Sequence, residues 1–236
     1  MWDWSLEPTA ALYAAQNACE PLHPQFDFLK NTVSVVNDYY RSFTNYKVLA
    51  GVYDLNGKKV FSKEMTLNLP EDGVAKDLFT IDFPPTITSV HFIKLRLLDE
   101  KGTEVGNNFY WRSDSHYEGR KTLTGPTTSG FQDLSKLKQI KLEISYREHK
   151  EEECYFINIE VKNTSRTIAF FTQLQLLDEN DKPIRPSFYS DNFFSLLPGE
   201  RKAIRIETNA QKLVANSKLI LKGWNVKKEI CNLRHH

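Results

Sequence analysis

Residues 155–162 read Tyr-Phe-Ile-Asn-Ile-Glu-Val-Lys, so that apolar and polar side chains alternate. One face of an extended strand would carry Tyr155, Ile157, Ile159 and Val161. The other face would carry Phe156, Asn158, Glu160 and Lys162. A side-chain period of two indicates a half-buried β-strand, and its apolar face must be covered by a second sheet. The stretch therefore predicts a β-sandwich and argues against an open parallel sheet.

The same period recurs on both sides of this stretch. Residues 93–97 alternate isoleucine or leucine with lysine and arginine, and residues 140–147 behave in the same way. Turn residues separate the strands, as at Lys101-Gly102 and Asn180-Asp181. Asn56-Gly57 predicts a tight two-residue hairpin turn in which both residues have positive φ. Because no long helical pattern follows Ala18, βαβ units are excluded and the predicted fold class is all-β.

A short helix opens the chain. Residues 9–18 are rich in alanine, which has the highest helix propensity, and Pro21 and Pro24 follow them. A helix of this length is marginal in water, since even alanine-rich peptides need roughly 12 to 15 residues. We therefore expect it to dock onto another part of the protein.

The strand series falls into two blocks. Residues 25–113 and 137–233 each have the size of an immunoglobulin-like sandwich, and residues 114–136 have no period of either kind. The sequence thus predicts two tandem immunoglobulin-like β-sandwiches joined by an exposed connector. Residues 1–24 form an N-terminal helical lead, and residues 234–236 are interpreted as the remnant of a purification tag.

A short internal sequence similarity links the two blocks. Residues 95–100 read Leu-Arg-Leu-Leu-Asp-Glu, and residues 174–179 read Leu-Gln-Leu-Leu-Asp-Glu. The first copy ends its strand series, whereas the second lies in the middle of its own. Two similar hairpins are therefore favoured over a true duplication.

Composition excludes several classes of partner. The formal net charge is +1, from 31 basic and 30 acidic residues, so no field attracts nucleic acid. The apolar runs are far shorter than the roughly 20 residues of a membrane-spanning helix, so membrane insertion is not expected. The N-terminus as written has no signal-peptide pattern. Export stays open as a hypothesis, because a signal peptide would precede this chain if it is a piece of a longer protein. Cys19, Cys154 and Cys231 have no metal-site spacing and are interpreted as ordinary thiols.

No catalytic, cofactor-binding or metal-binding motif stands out. The acidic run 151–153 is interpreted as a charged hairpin tip, and the six histidines form no HExxH motif. Asp191, beside Ser190 and Asn192, could ligate a cation, but capping of the following turn is the favoured interpretation. We therefore predict no catalytic residue, no cofactor and no metal in this chain.

Exposed aromatic residues are the remaining candidates, because sugar rings and partner proteins stack on them. Trp111 and Trp224 follow strands, and packing in the core or between domains is the favoured interpretation for both. Trp2 and Trp4 precede the helix and lie outside either predicted sandwich. These four tryptophans are the candidate contacts.

Four segments, taken in order, resemble one family. Residues 8–23 resemble the exit from a catalytic (β/α)8 barrel, and 108–111 resemble the end of the following sandwich. Residues 130–137 resemble the next connector, and 190–200, closed by 223–226, resemble the last sandwich. In this order they are similar to the C-terminal part of glycoside hydrolase family 2 enzymes of the β-mannosidase and exo-β-glucosaminidase type.

The resemblance implies a parent protein whose catalytic barrel lies before Met1. In the family two barrel glutamates catalyse retaining glycoside hydrolysis, so no catalytic residue transfers to this chain. The chain itself is expected to be a noncatalytic accessory and scaffolding region, and the parent an exo-acting β-glycosidase, secreted or periplasmic. Its expected partner is the barrel, against which Trp2, Trp4 and the helix would have packed. Without the barrel they would cap the first sandwich or lie exposed.

Two further hypotheses stay open. The chain could be a carbohydrate-binding module, with a glycan as its partner, or an adhesion protein built from immunoglobulin-like sandwiches. Mannoside or glucosaminide specificity would be set mainly in the barrel.

Overall fold

The computed structural model describes residues 1–4, 7–113, 128–213 and 216–233. They form two compact units, and each has its own core. The first domain is Ala14–Lys136, and the second domain combines Met1–Tyr13 with Leu137–His236. The chain is all-β as predicted, because every pair of named strands in the described residues is antiparallel. Among those same residues, no helix is long and apolar enough to span a membrane.

The described part of the first domain contains most of helix α1 (Ala10–Ala18) and seven strands. The strands are β1 (Leu22–Asp27), β2 (Thr32–Asn37), β3 (Phe43–Asp54), β4 (Lys59–Leu69), β5 (Gly73–Thr80), β6 (Val90–Leu98) and β7 (Glu104–Ser113). They form a β1-β2-β5 sheet and a β4-β3-β6-β7 sheet. Buried side chains from both sheets, such as Val35 and Leu95, share one core.

The second domain contains eight described strands. They are β8 (Glu143–Glu151), β9 (Cys154–Lys162), β10 (Ala169–Leu177), β11 (Ser187–Tyr189), β12 (Phe194–Leu196), β13 (Arg201–Asn209), β14 (Lys218–Lys222) and β15 (Glu229–Asn232). The sheets have the orders β11-β13-β9-β8 and β12-β10-β14-β15. Ile157 of one sheet and Leu176 of the other belong to the same core, as a sandwich requires.

Strand β9 confirms the inward face predicted from its alternation. Ile157, Ile159 and Val161 are buried, and Asn158 and Glu160 are exposed. Phe156 was predicted to face outward, yet it is also buried. Its ring stacks on His149 of β8 and lies 4.2 Å from the guanidinium carbon of Arg205 of β13. Long side chains from the neighbouring strands therefore cover an aromatic ring on the outer face.

Three hairpin turns have the same construction. In each, an aspartate side chain accepts hydrogen bonds from the backbone amides two and four positions ahead, as Asp54, Asp99 and Asp178 do. The third residue after the aspartate has positive φ in each turn, and this residue is Gly57, Gly102 or Asp181. The two-residue turn predicted at Asn56-Gly57 is wrong, because only Gly57 has positive φ. Two of these turns, at Asp99 and Asp178, lie at the ends of the similar segments 95–100 and 174–179.

The described strands and helices differ from the predicted domain limits at two points. Strand β1 begins at Leu22, ahead of the predicted start of the first sandwich at Gln25. In the predicted connector 114–136, residues 114–127 lie outside the described part of the chain, and Thr128–Lys136 forms a 3₁₀ helix. Ser89 donates a hydrogen bond to Asp133 of this helix at 2.6 Å, and Leu134 is buried. The proposed tag at 234–236 lies outside the described residues.

Candidate functional site

Residues 1–4 and 7–9, called the N-terminal arm, fold back on themselves. Trp2 and Pro8 form an isolated antiparallel bridge, and the backbone amide of Asp3 donates to the carbonyl of Glu7 at 3.0 Å. The Asp3 carboxylate accepts in turn from the backbone amide of Glu7 at 2.9 Å. Trp4 follows this bridged pair with 97% of its surface exposed, and Trp2 is 50% exposed.

The arm belongs to the second domain, whereas the expectation was that it would cap the first sandwich or lie exposed. Arg185 Nε lies 3.0 Å from Glu7 Oε1. The ring of Tyr13, at the start of α1, is buried with its centroid 6.1 Å from that of Phe193. Burial raises the pKa of Tyr13 to about 12, although its hydrogen bond with Asn192 acts in the opposite direction.

Asn192 fixes the loop on which this end of the chain packs. Its side chain is buried, accepts from the backbone amide of Leu174 at 2.8 Å and donates to the Leu174 carbonyl at 2.9 Å. These two hydrogen bonds take the place of those that a backbone residue of a neighbouring strand would make with Leu174. Asp191, considered above as a cation ligand, pairs with Lys202 at 2.5 Å and accepts from the backbone amide of Asn192. The favoured capping interpretation agrees with these contacts.

Trp224 lies on the surface of the second domain and is 55% exposed, so the interpretation as a core residue is wrong. A Cβ added at Gly223 would lie 3.1 Å from the Cα of Thr172, which shows how closely the chain approaches β10 just before the tryptophan. The backbone amide of Trp224 donates to the carbonyl of Phe170 at 3.0 Å. With the backbone held against β10, the indole extends outward.

Trp111 lies on edge strand β7 of the first domain and is 41% exposed, so it is not a core residue either. Strand alternation explains its position, because neighbouring Tyr110 points inward and its hydroxyl accepts from the backbone amide of Phe26. The four candidate tryptophans therefore divide between the domains, with Trp2, Trp4 and Trp224 in the second and Trp111 in the first.

An aromatic tip in the first domain was missed. Tyr40, between β2 and β3, is 87% exposed. The guanidinium carbon of Arg41 lies 4.7 Å from the Phe43 ring centroid and 5.5 Å from that of Tyr39. Asn37 holds the tip by donating to the carbonyl of Arg41 and accepting from the amide of Tyr39. Adjacent tyrosines in a turn between two strands were the available signal.

The acidic residues considered as catalytic candidates lie in turns in the described part of the chain. Within it, no group of three or more histidine, cysteine or acidic side chains could hold a metal ion. Asp99 and Asp178 act in hairpin turns, and Glu152-Glu153 forms the tip of the β8–β9 hairpin. Cys19, Cys154 and Cys231 are free thiols, as predicted.

Each domain matches a family model. Residues 30–117 match the mannosidase Ig/CBM-like domain, and residues 122–226 match the exo-β-D-glucosaminidase Ig-fold domain. Fold and surface together thus define a pair of noncatalytic immunoglobulin-like domains of the kind that accompany glycosidases. More narrowly, the chain belongs with the Ig-fold domains of the exo-β-glucosaminidase and β-mannosidase group in glycoside hydrolase family 2, which confirms the resemblance seen in the sequence.

Similar proteins are much longer than this chain. It is 25% identical to an exo-β-D-glucosaminidase of Amycolatopsis orientalis over 95% of its own length and 23% of the relative's length. It is 27% identical to an exo-β-D-glucosaminidase of Streptomyces avermitilis over 94% of its own length and 26% of the relative's length. A mannosylglycoprotein endo-β-mannosidase of Lilium longiflorum is 24% identical over 97% of this chain and 29% of its own. The chain thus spans about a quarter of these relatives.

Solved structures show the same fold. The crystal structure of Amycolatopsis orientalis exo-chitosanase CsxA superposes with a TM-score of 0.85 at 23% identity, covering 98% of this chain and 29% of the other. A β-D-mannosidase from Dictyoglomus thermophilum gives 0.64 at 20% identity, with coverages of 96% and 24%.

Proposed function

We propose that this chain is the noncatalytic accessory region of a larger family 2 glycoside hydrolase and that it scaffolds a catalytic barrel preceding Met1. The support from the comparisons is its length, because it aligns almost completely with 23% to 26% of the two bacterial exo-β-D-glucosaminidases. In this proposal the two carboxylates of retaining glycoside hydrolysis come from the barrel, and this chain supplies none of them.

The exposed indole of Trp4 is the observation that carries the scaffolding role. With Trp4 97%, Met1 63% and Trp2 50% exposed, one short arm presents three large apolar side chains, and clustered exposed apolar surface marks a contact site. The arm that presents it is held by the Trp2–Pro8 bridge and by the ion pair between Glu7 and Arg185. An indole offered on such a docked arm suits burial against a neighbouring domain. Trp2, half exposed on the same arm, would extend that contact.

For the parent we propose an exo-acting β-glucosaminidase, with an exo-β-mannosidase as the alternative. The relatives named as exo-β-D-glucosaminidases and the family model matched by the second domain favour the first. The mannosidase alternative is supported by the family model that the first domain matches and by the similarity to the plant endo-β-mannosidase.

Two measurements test the proposal. The isolated chain, assayed on aryl β-glucosaminides and aryl β-mannosides, should give no turnover above a heat-unfolded control. In the full-length protein, Trp4→Ala should lower the melting temperature of the catalytic region, whereas Tyr40→Ala, which removes an 87% exposed aromatic ring from the first domain, serves as the control. Turnover by the isolated chain, or a coding sequence without a barrel upstream, would falsify the proposal.

A further inference from the structure

The outer face of the β11-β13-β9-β8 sheet has a shallow concavity of about 610 Å³. Its lining includes Arg147, Asn158, Arg205 and Ser190, which come from three strands and from the residue directly after β11. These residues lie outside the N-terminal arm and outside the tryptophan surfaces described above. Open clefts with a few convergent polar groups are the usual form of ligand sites.

The strand register places three of these side chains in one row. Asn158 of β9 is paired with Arg147 of β8 on one side and with Arg205 of β13 on the other. Directly opposed positions in antiparallel strands have Cβ atoms about 5 Å apart. In the register Asn158 therefore lies between two exposed arginines on a single face, and the guanidinium of Arg205 extends from this row toward Phe156.

Neither guanidinium is neutralised by a carboxylate among the described residues. The structure gives the exposed side chain of Arg147 no hydrogen bond or ion pair there. Arg205 lies over the ring of Phe156, with its guanidinium carbon 4.2 Å from the centroid, and this contact restricts its orientation while leaving its N–H edge free to donate. Glu160 is the acidic residue of the lining, and its carboxylate lies 4.0 Å from Arg201.

The surroundings of the row suit a sugar better than a bare ion. Ser190 Oγ accepts a hydrogen bond from the backbone amide of Arg205 at 2.9 Å, so its own hydrogen can be donated to a ligand. The amide nitrogen of Asn158 lies 3.4 Å from His149 Nδ1, and its second N–H and its oxygen can still donate to and accept from sugar hydroxyls. Phe188 of β11 is 56% exposed. It is paired with Glu207 of β13, which lies two positions from Arg205 on the same face. Its ring provides an apolar surface on which a pyranose can stack.

We propose that this face binds an acidic oligosaccharide, whose carboxylate or sulfate groups pair with Arg147 and Arg205 across Asn158. Guanidinium groups match the planar, bidentate geometry of carboxylates and also bind sulfate oxygens. The row spans two strand spacings, or about 10 Å, which is long enough to contact two sugar units. This inference does not depend on the activity of the parent protein.

The test is calorimetric titration of the intact chain with an oligogalacturonate and, separately, with a heparin-derived oligosaccharide at low ionic strength. We expect saturable binding of at least one of them, weakened about tenfold or more by Arg147→Gln and by Arg205→Gln. Lys150→Gln removes the same charge from an exposed position on the opposite face of β8 and should leave binding unchanged. Binding of the uronate alone would assign a carboxylate site, and binding of the heparin fragment alone a sulfate site.

Three results would overturn the inference. They are no saturable binding of either oligosaccharide, an equal loss with Lys150→Gln, and equally tight binding of an oligoglutamate peptide of the same charge. Because Arg205 covers Phe156, its variant could lose stability. Arg147→Gln then decides the outcome alone, since the exposed Arg147 side chain has no described partner whose loss would unfold the domain.

Discussion

Glu7 and Arg185 form an ion pair across 178 positions of the sequence, with 3.0 Å between Oε1 and Nε. Their side chains are 21% and 37% exposed, respectively, so solvent screens the pair only in part. The pair fastens the N-terminal arm to the segment just before β11. It is a long-range contact that makes Met1–Tyr13 part of the second domain.

We expect Glu7→Gln and Arg185→Gln each to lower the free energy of unfolding of the second domain, with a coupling energy of up to about 1 kcal/mol in a double-mutant cycle. Urea unfolding of the single and double variants measures this coupling. Arg201→Gln, which breaks a looser and more exposed contact with Glu160, should be nearly silent. Purely additive effects of the Glu7 and Arg185 variants would show that the pair does not hold the arm.

Ile157→Asp should unfold the second domain. The side chain of Ile157 is fully buried, so the change loses about 1.5 to 3 kcal/mol of burial and adds an unpaired buried charge. Net stabilities of only about 5 to 15 kcal/mol are typical. Glu152→Ala, at the exposed hairpin tip, should be nearly neutral. Thermal melts with the reverse order would mean that the faces of β9 are assigned wrongly.

Gly102→Ala and Gly106→Ala should both destabilise the first domain, for different reasons. Gly102 has φ of +81° and open space where a Cβ would lie, so alanine costs about 1 to 2 kcal/mol through backbone strain alone. At Gly106 a Cβ would lie 2.7 Å from the carbonyl oxygen of Leu22, so β1 must shift. We expect the larger loss of melting temperature at Gly106. Equal losses would contradict a steric role for that glycine.

Asp77 should make the stability of the first domain decrease at acidic pH. Hydrogen bonds from Thr32 and then Lys30 hold the pKa of its carboxyl below the ordinary value of 3.8. A lowered folded-state pKa stabilises the fold above pH 3.8, and this contribution disappears as the pH falls through the folded-state pKa.

The matching variant is Asp77→Asn, which keeps the shape and tolerates the positive φ of this position. It should melt below the unmodified chain at neutral pH, and the two melting temperatures should converge under acidic conditions. A gap that stays constant over the whole acidic range would exclude the charge as its origin.

Local patterns predicted the strands but not the long-range contacts. Alternation was sufficient for Ile157, Ile159 and Val161 because burial follows the pleat of a single strand. It failed for Phe156 because the residues that cover this ring, His149 and Arg205, come from other strands.

The candidate sites show the same division between local and distant information. Trp224 was assigned to packing in the core or between domains, because a position at the end of a strand does not show on which side the ring lies. The row formed by Arg147, Asn158 and Arg205 becomes visible only when the strand register is known. The family resemblance supplied the accessory role, whereas contacts of the N-terminal arm required coordinates.

The divided second domain has a consequence for protein synthesis. Glu7 and Tyr13 are translated before the first domain, but Arg185 and Phe193, which they contact, are translated after it. At about 5 to 20 residues per second, the delay is roughly 10 to 40 seconds. During this time the contacts of Glu7 and Tyr13 within the second domain cannot form, and the first domain can complete its sandwich before the second one closes.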